Sequence, residues 1–261
     1  MIDGLQNGEL IVIASQSLAD SATLALSIVE HFVLRDQVPV AVFSLRMSGA
    51  DIVRHMASSF SGIELHRLRT GGLNSDEWLD LGVALGKLRA APLHVHSQMG
   101  LSALTLRVEA RRLSRKIGNL GLIVIDALEL LQYSGRDGED ATASHRSCQV
   151  LKMIAQELQC PVIVLTHISQ TEKMGQLQTP GIDAHPMAMP IRDLADTVLT
   201  LQRNASCQPE LANDLGSAVL NLSKPQNGFT GKVRLMYSDA PLRFRNCTAG
   251  DGGGSSVRDR D

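Results

Sequence analysis

An α/β fold built on a mainly parallel central sheet, with helices on both faces, is predicted by three features of this 261-residue chain. Short apolar runs recur along it, each bounded by turn residues. Helix-length amphipathic segments separate the runs. The runs are apolar throughout rather than alternating, the pattern of strands covered on both faces. At 44% hydrophobic and 20% charged residues, the chain can bury a sizeable core.

In order, strands are expected at 10–14 (LIVIA), 39–44 (PVAVFS), 92–96 (PLHVH), 121–126 (GLIVID), 161–166 (PVIVLT) and 197–201 (TVLTL). Between them, 49–60, 75–90, 102–117 and 144–158 have helical length and amphipathic spacing. Segment 168–192 is irregular and holds three prolines and two glycines; loops of such length usually have a role or are mobile. After about residue 214 the pattern changes to SAVLNLSK, GKVRLMYS and LRFRN, read as antiparallel hairpins closing one edge of the sheet. One domain is expected over 1–248, followed by a Gly/Ser-rich, charged tail at 249–261 that should be disordered.

Composition excludes several classes. A net charge of −2 gives no whole-chain signal for nucleic acid, and 3% aromatic residues argue against extensive base stacking. No basic segment precedes a signal-like apolar run, and no apolar stretch approaches the roughly 20 residues of a membrane span. Cys148, Cys160, Cys207 and Cys247 form no CxxC pair and read as reduced thiols of a cytoplasmic protein. His94 and His96 share one strand face without further ligands nearby, so a polar strand end is expected and no metal site.

Residues 8–30, GELIVIASQSLADSATLALSIVE, have the layout of a phosphate-binding unit: an apolar strand, a short polar turn, then a helix with Leu24, Ile28 and Val29 on its apolar positions. A working loop needs glycines whose amides wrap the phosphates, a lysine, and a Ser/Thr for Mg²⁺. The turn SQSLADSAT has neither glycine nor lysine, and the first lysine of the chain is Lys87. The scaffold is present and its chemistry is missing.

Over 4–247 the chain resembles the C-terminal, RecA-like motor domain of bacterial replicative DNA helicases of the DnaB type. The resemblance rests on GLQNGELIVIA, VPVAVFSLRMS, LRTGGLNSDEW, GLSALTLRVEARRL, GLIVIDALELL, LKMIAQELQCPVIVLTHISQ and SKPQNGFTGKVRLMY, in order and with few gaps. It implies a RecA-like P-loop NTPase fold. The family's N-terminal helical domain, which helps build its ring, has no counterpart in these residues.

The resemblance also places the family's functional positions. Its phosphate loop, approximately A/G-R-P-S-M-G-K-T-T, falls on Ser15 through Thr23. The glycine position is Asp20, the lysine is Ser21 and the Mg²⁺-binding threonine is Ala22, with Thr23 unable to take over unless the loop moves. Loss of the lysine removes a contact worth on the order of 2–5 kcal/mol, and Asp20 adds repulsion against an anion. The catalytic glutamate of F-S-L-E-M becomes Arg46, which cannot accept a proton near neutrality. The Walker B aspartate survives as Asp126, although an aspartate at a strand end also caps turns. The glutamine sensor becomes His167. In the K-Q-R-N-G motif the lysine is kept as Lys224 and the arginine finger becomes Gln226.

The family's DNA loop loses its polar core to Pro186, Met187, Ala188 and Met189, leaving Lys173 and Arg192 as a thin basic footprint. A second basic stretch, Arg107, Arg111, Arg112, Arg115 and Lys116, reads as a solvated helix face or a weak single-strand DNA contact. These substitutions lead to the expectation of a pseudo-ATPase that binds neither ATP nor Mg²⁺. Its partner would be a replicative helicase, another replication or recombination component, or its own copies. Two alternatives stand beside it: an ATPase subunit completed in trans by an intact partner, and an ATP-independent single-strand DNA binder.

Overall fold

Uninterrupted apolar runs become the middle of a large sheet. The structure is a computed structural model and describes residues 4–131, 140–168, 193–203, 215–224, 229–239 and 242–246. Among these, nine strands form one sheet: β1 (Leu10–Ser15), β2 (Val40–Ser44), β3 (Leu93–Ser97), β4 (Leu122–Asp126), β5 (Val162–His167), β6 (Thr197–Arg203), β7 (Leu215–Lys224), β8 (Phe229–Asp239) and β9 (Leu242–Asn246). Their order is β3-β2-β4-β5-β1-β6-β7-β8-β9. Strands β1 to β6 pair in parallel, and β7, β8 and β9 add antiparallel strands at the C-terminal edge. This is the mixed α/β arrangement expected from the sequence, with strand ends shifted by one or two residues.

Among the described residues six α-helices accompany the sheet: α1 (Leu18–Glu30), α2 (Gly49–Ser61), α3 (Leu65–Thr70), α4 (Ser75–Ala90), α5 (Ala103–Ile117) and α6 (Asp140–Leu158). Side chains alternate across a strand, so one apolar run feeds two cores. Ile11, Ile13 and Val42 pack with Val29 of α1 and Met56 of α2, while Leu10, Val12 and Phe43 pack with Leu106 of α5 and Leu151 of α6. Each fully buried Leu, Ile or Val contributes about 1.5–3 kcal/mol of transfer free energy. Both faces of the central strands are thereby covered. No helix among the described residues is long and apolar enough to cross a membrane.

Caps set the helix starts. Ser48 accepts from the Asp51 amide at 3.1 Å, Ser102 accepts from the Thr105 amide at 3.1 Å, and Asn74 and Glu77 form a reciprocal capping box. The first two fall where the apolar periodicity of 49–60 and 102–117 begins. Helix α3 buries none of its residues, which is why LHRLRT carries no periodic signal. Helix α6 starts at Asp140, earlier than the apolar pattern indicates. At the other end of α1 the chain widens into a π-helical turn, His31–Arg35, absent from the sequence expectation. The Gln37 side-chain amide caps that turn by donating to the Val33 carbonyl at 2.9 Å.

Cys148 and Cys160 are buried free thiols, and burial pushes both pKa values up to about 12. They are inert core residues rather than nucleophiles. The expected tail at 249–261, with Cys207 and Cys247, lies outside the described residues.

Candidate functional site

Parallel strands end together, and the crevice beyond their carboxyl ends is where open α/β sheets bind ligands. Here that edge gathers Ser15 from β1, Asp126 from β4, His167 from β5 and, two residues past β2, Arg46. Register brings them together: Ser44 lies opposite Asp126, and Ser15 opposite His167.

Only Gln16 and Ser17 separate β1 from α1. Ser17 caps the helix: its Oγ accepts from the Asp20 amide at 3.3 Å, and its carbonyl accepts from the Asp20 and Ser21 amides at 3.0 and 3.2 Å. These two amides are therefore bonded within the chain, whereas a phosphate loop turns such amides to its anion. Ser15 Oγ tightens the turn by donating to the Ser17 carbonyl at 2.6 Å. Ser21, at the lysine position, is fully buried and donates to the Leu18 carbonyl at 3.2 Å. Thr23 is also buried and donates to the Ala19 carbonyl at 2.9 Å. The segment that resembles a phosphate loop is wound as the first turn of a helix.

Arg46 fills the space in front of that turn. Its Nη2 lies 3.2 and 3.4 Å from the two Asp126 carboxylate oxygens, and it donates to the Leu18 carbonyl at 3.3 Å. Asp126 is 5% exposed. Burial raises its pKa above the ordinary carboxylate value, the Arg46 guanidinium opposes that rise, and Glu129 adds to it. Asp126 is thus neither a turn cap nor an open metal ligand; it is the counter-ion of Arg46.

A second ion pair crosses the loop. Arg203 Nη1 lies 3.2 Å from Asp20 Oδ1, and its guanidinium stacks 3.9 Å over the Tyr237 ring. The carboxylate expected to repel an anion is thus neutralised from within the fold. Glu129, which sequence reasoning missed, accepts from the His167 amide at 2.6 Å and from Thr166 Oγ1, tying the end of β5 to the loop after β4. That link joins the sensor position to the Asp126 side of the site.

The basic stretch on α5 is partly spent inside the fold. Arg107 and Arg111 both pair with Glu157 of α6, and Arg112 lies 3.8 Å from Glu109. Arg115 and Lys116 have no ion-pair partner among the described residues. Lys224 ends β7 opposite Phe229. Gln226, Lys173, the 186–189 segment and Arg192 lie outside the described residues. Among the described residues no cluster of His, Cys, Asp and Glu is arranged to hold a metal.

His55 backs the site. Thr23 Oγ1 gives its proton to Ala19, so it accepts from His55 Nε2–H across 3.2 Å, leaving Nδ1 buried and without a hydrogen-bond partner. Burial lowers the His55 pKa. The unfolded chain then takes up the proton more readily than the folded one. Stability is full above about pH 6.5 and declines as pH falls through that value toward the lower folded pKa. In denaturant titrations between about pH 7.5 and about pH 5, His55→Leu should flatten this decline. An unaltered slope would exclude His55 as its source.

A magnesium-bound triphosphate needs open amides, a lysine and a hydroxyl ligand beside the Walker B aspartate. Here the Asp20 and Ser21 amides are bonded to Ser17, Ser21 is buried, Ala22 offers no oxygen, and Asp126 is bonded to Arg46. The residues present do not fit that group.

Sheet order and the strand–turn–helix at the strand ends define a RecA-like α/β domain. The chain belongs to the DnaB-like helicase C terminal domain family, whose model matches residues 1–246. It is 32% identical over 248 residues to the replicative DNA helicase DnaC of Bacillus subtilis, covering 94% of this chain and 54% of that one. Identity to the replicative DNA helicase DnaB of Pasteurella multocida is 31% over 245 residues, covering 93% and 52%. The chain thus spans about half the length of these curated relatives. A solved ATPase domain superposes with a TM-score of 0.83 at 19% identity, over 93% of this chain and 86% of that one. A DnaB-like replicative helicase, described with its interactions with primase, gives 0.83 at 20% identity, over 94% and 60%. These two likenesses establish a shared fold.

Proposed function

We propose that this helicase-like domain performs no phosphoryl transfer and acts through protein–protein contacts in the cytoplasm, in DNA replication, recombination or mobile-element maintenance. The observation that carries this reading is the Arg46–Asp126 pair, which puts a guanidinium where the family keeps its catalytic base and holds the one surviving acidic ligand. Neither ATP nor Mg²⁺ is its cofactor. RecA-like domains pack head to tail in rings, so the partner surface it offers suits another such domain, either a replicative helicase or its own copies. DNA contact is secondary, because Glu157 already takes up Arg107 and Arg111.

Phosphate release tests this. The folded chain is incubated with about millimolar ATP and Mg²⁺, with and without single-stranded DNA, and with and without the host's replicative helicase. The chain alone should release phosphate no faster than buffer. Turnover by the chain alone that disappears in Asp126→Asn would refute the proposal.

A further inference from the structure

A cleft of about 650 Å³ opens at the C-terminal end of α1, on the side of the helix away from its capped first turn. Phe32, Phe60 and Phe244 form its apolar wall, and Arg35, Arg243 and Arg245 bring three guanidiniums to it. Its volume falls in the range of small-molecule sites, roughly 300–1,000 Å³. The strand-end site lies at the other end of α1, and none of its residues line this cleft.

Arg243 gives the cleft its chemical character. Its Nη1 reaches only the Ser59 carbonyl, at 3.4 Å, while its Nε is buried with no hydrogen-bond partner among the described residues. A buried guanidinium N–H left unpaired is costly, and such groups call for an explanation such as a missing ligand. Arg35 and Arg245 are exposed at the rim and form no ion pair among the described residues. Glu30 is the one carboxylate among the described lining residues, and it accepts from Ser59 Oγ at 2.7 Å instead of bonding an arginine. Burial raises its pKa, against the Ser59 hydrogen bond and the field of Arg35.

Local backbone geometry builds the wall. The π-helical turn His31–Arg35 carries Phe32 and Arg35, and its widened ring closes through the Asp36 amide to the His31 carbonyl at 3.3 Å. Such turns concentrate at functional sites because they re-aim side chains out of the α-helical register. Here an aromatic ring and a guanidinium are both brought to one cleft.

We propose that this cleft binds a small organic anion, with a flat apolar body against Phe32, Phe60 and Phe244 and a phosphate or carboxylate head on Arg243, Arg35 and Arg245. A guanidinium fork matches either oxyanion head, so the two head groups are separated by experiment.

Calorimetry on the full chain tests this with 2-naphthyl phosphate and 2-naphthoate as probes, and with 2-naphthol and inorganic phosphate as body-only and head-only controls. At least one anionic probe should bind with submillimolar affinity and more tightly than either control. Arg243→Gln should weaken it by at least about tenfold. The rim double variant Arg35→Gln/Arg245→Gln, which leaves the core untouched, should also weaken it severalfold. Arg112→Gln, on α5, should leave it unchanged. The proposal is overturned if neither anionic probe saturates by about 5 mM, if a control binds as tightly as the anions, or if the rim variant binds as the parent does.

Discussion

Replacing Arg46 with alanine is expected to destabilise the chain by about 2–3 kcal/mol. The substitution leaves the buried Asp126 carboxylate without its counter-charge. An orphaned buried charge costs more when fully enclosed, but the Arg46 side chain is 32% exposed and water screens part of the pair. Removing both charges, as Arg46→Met with Asp126→Asn, should return stability to within about 1 kcal/mol of the parent. Denaturant midpoints on the parent, Arg46→Met, Asp126→Asn and the double variant give the coupling energy. The deficit also has a defined pH dependence. Burial already holds the Asp126 pKa up, and losing Arg46 removes the influence that lowers it. The ionised form is the costly one, so the deficit is full above the folded pKa and shrinks as pH falls through it. A deficit that stays constant with pH would mean that this carboxylate is not its cause.

Ser21→Lys should cost at least about 2 kcal/mol, although it restores the residue that the family carries at this position. In an open phosphate loop a lysine faces the ligand and crowds nothing. In this chain the position is fully buried inside a capped helical turn, with its hydroxyl bonded to Leu18. The longer side chain must either displace packed neighbours or unwind that turn. Asp20→Gly, added to it, should worsen the loss by removing the partner of Arg203 and placing glycine in a helix. Thermal and denaturant unfolding measure both. A Ser21→Lys protein as stable as the parent would show that the first turn of α1 opens without cost, and would return the segment to the status of a loop.

The strands were legible because burial on both faces leaves no polar residue to interrupt LIVIA, VAVF or LIVI. The helices with a buried stripe were legible for the same reason, whereas α3 and the π-helical turn have no periodic signature to read. The winding of the phosphate-loop segment was readable in principle: Ser17 and Asp20 form an S-x-x-D helix-start pattern. The ion pairs were not readable. Arg46 and Asp126 stand 80 residues apart, and only the pairing of Ser44 with Asp126 brings them together. Arg203 with Asp20, and Glu157 with Arg107 and Arg111, likewise depend on packing between distant elements. Sequence showed which groups a triphosphate would lack. Geometry showed what had taken their place.

What stands or falls here is whether intramolecular bonds have replaced nucleotide at the strand ends. Calorimetric titration of the folded chain with ATP and Mg²⁺ should give no saturable heat at any concentration up to about millimolar. A saturable micromolar isotherm that is lost in Asp126→Asn would mean that Arg46 swings aside for a nucleotide and that the site still works.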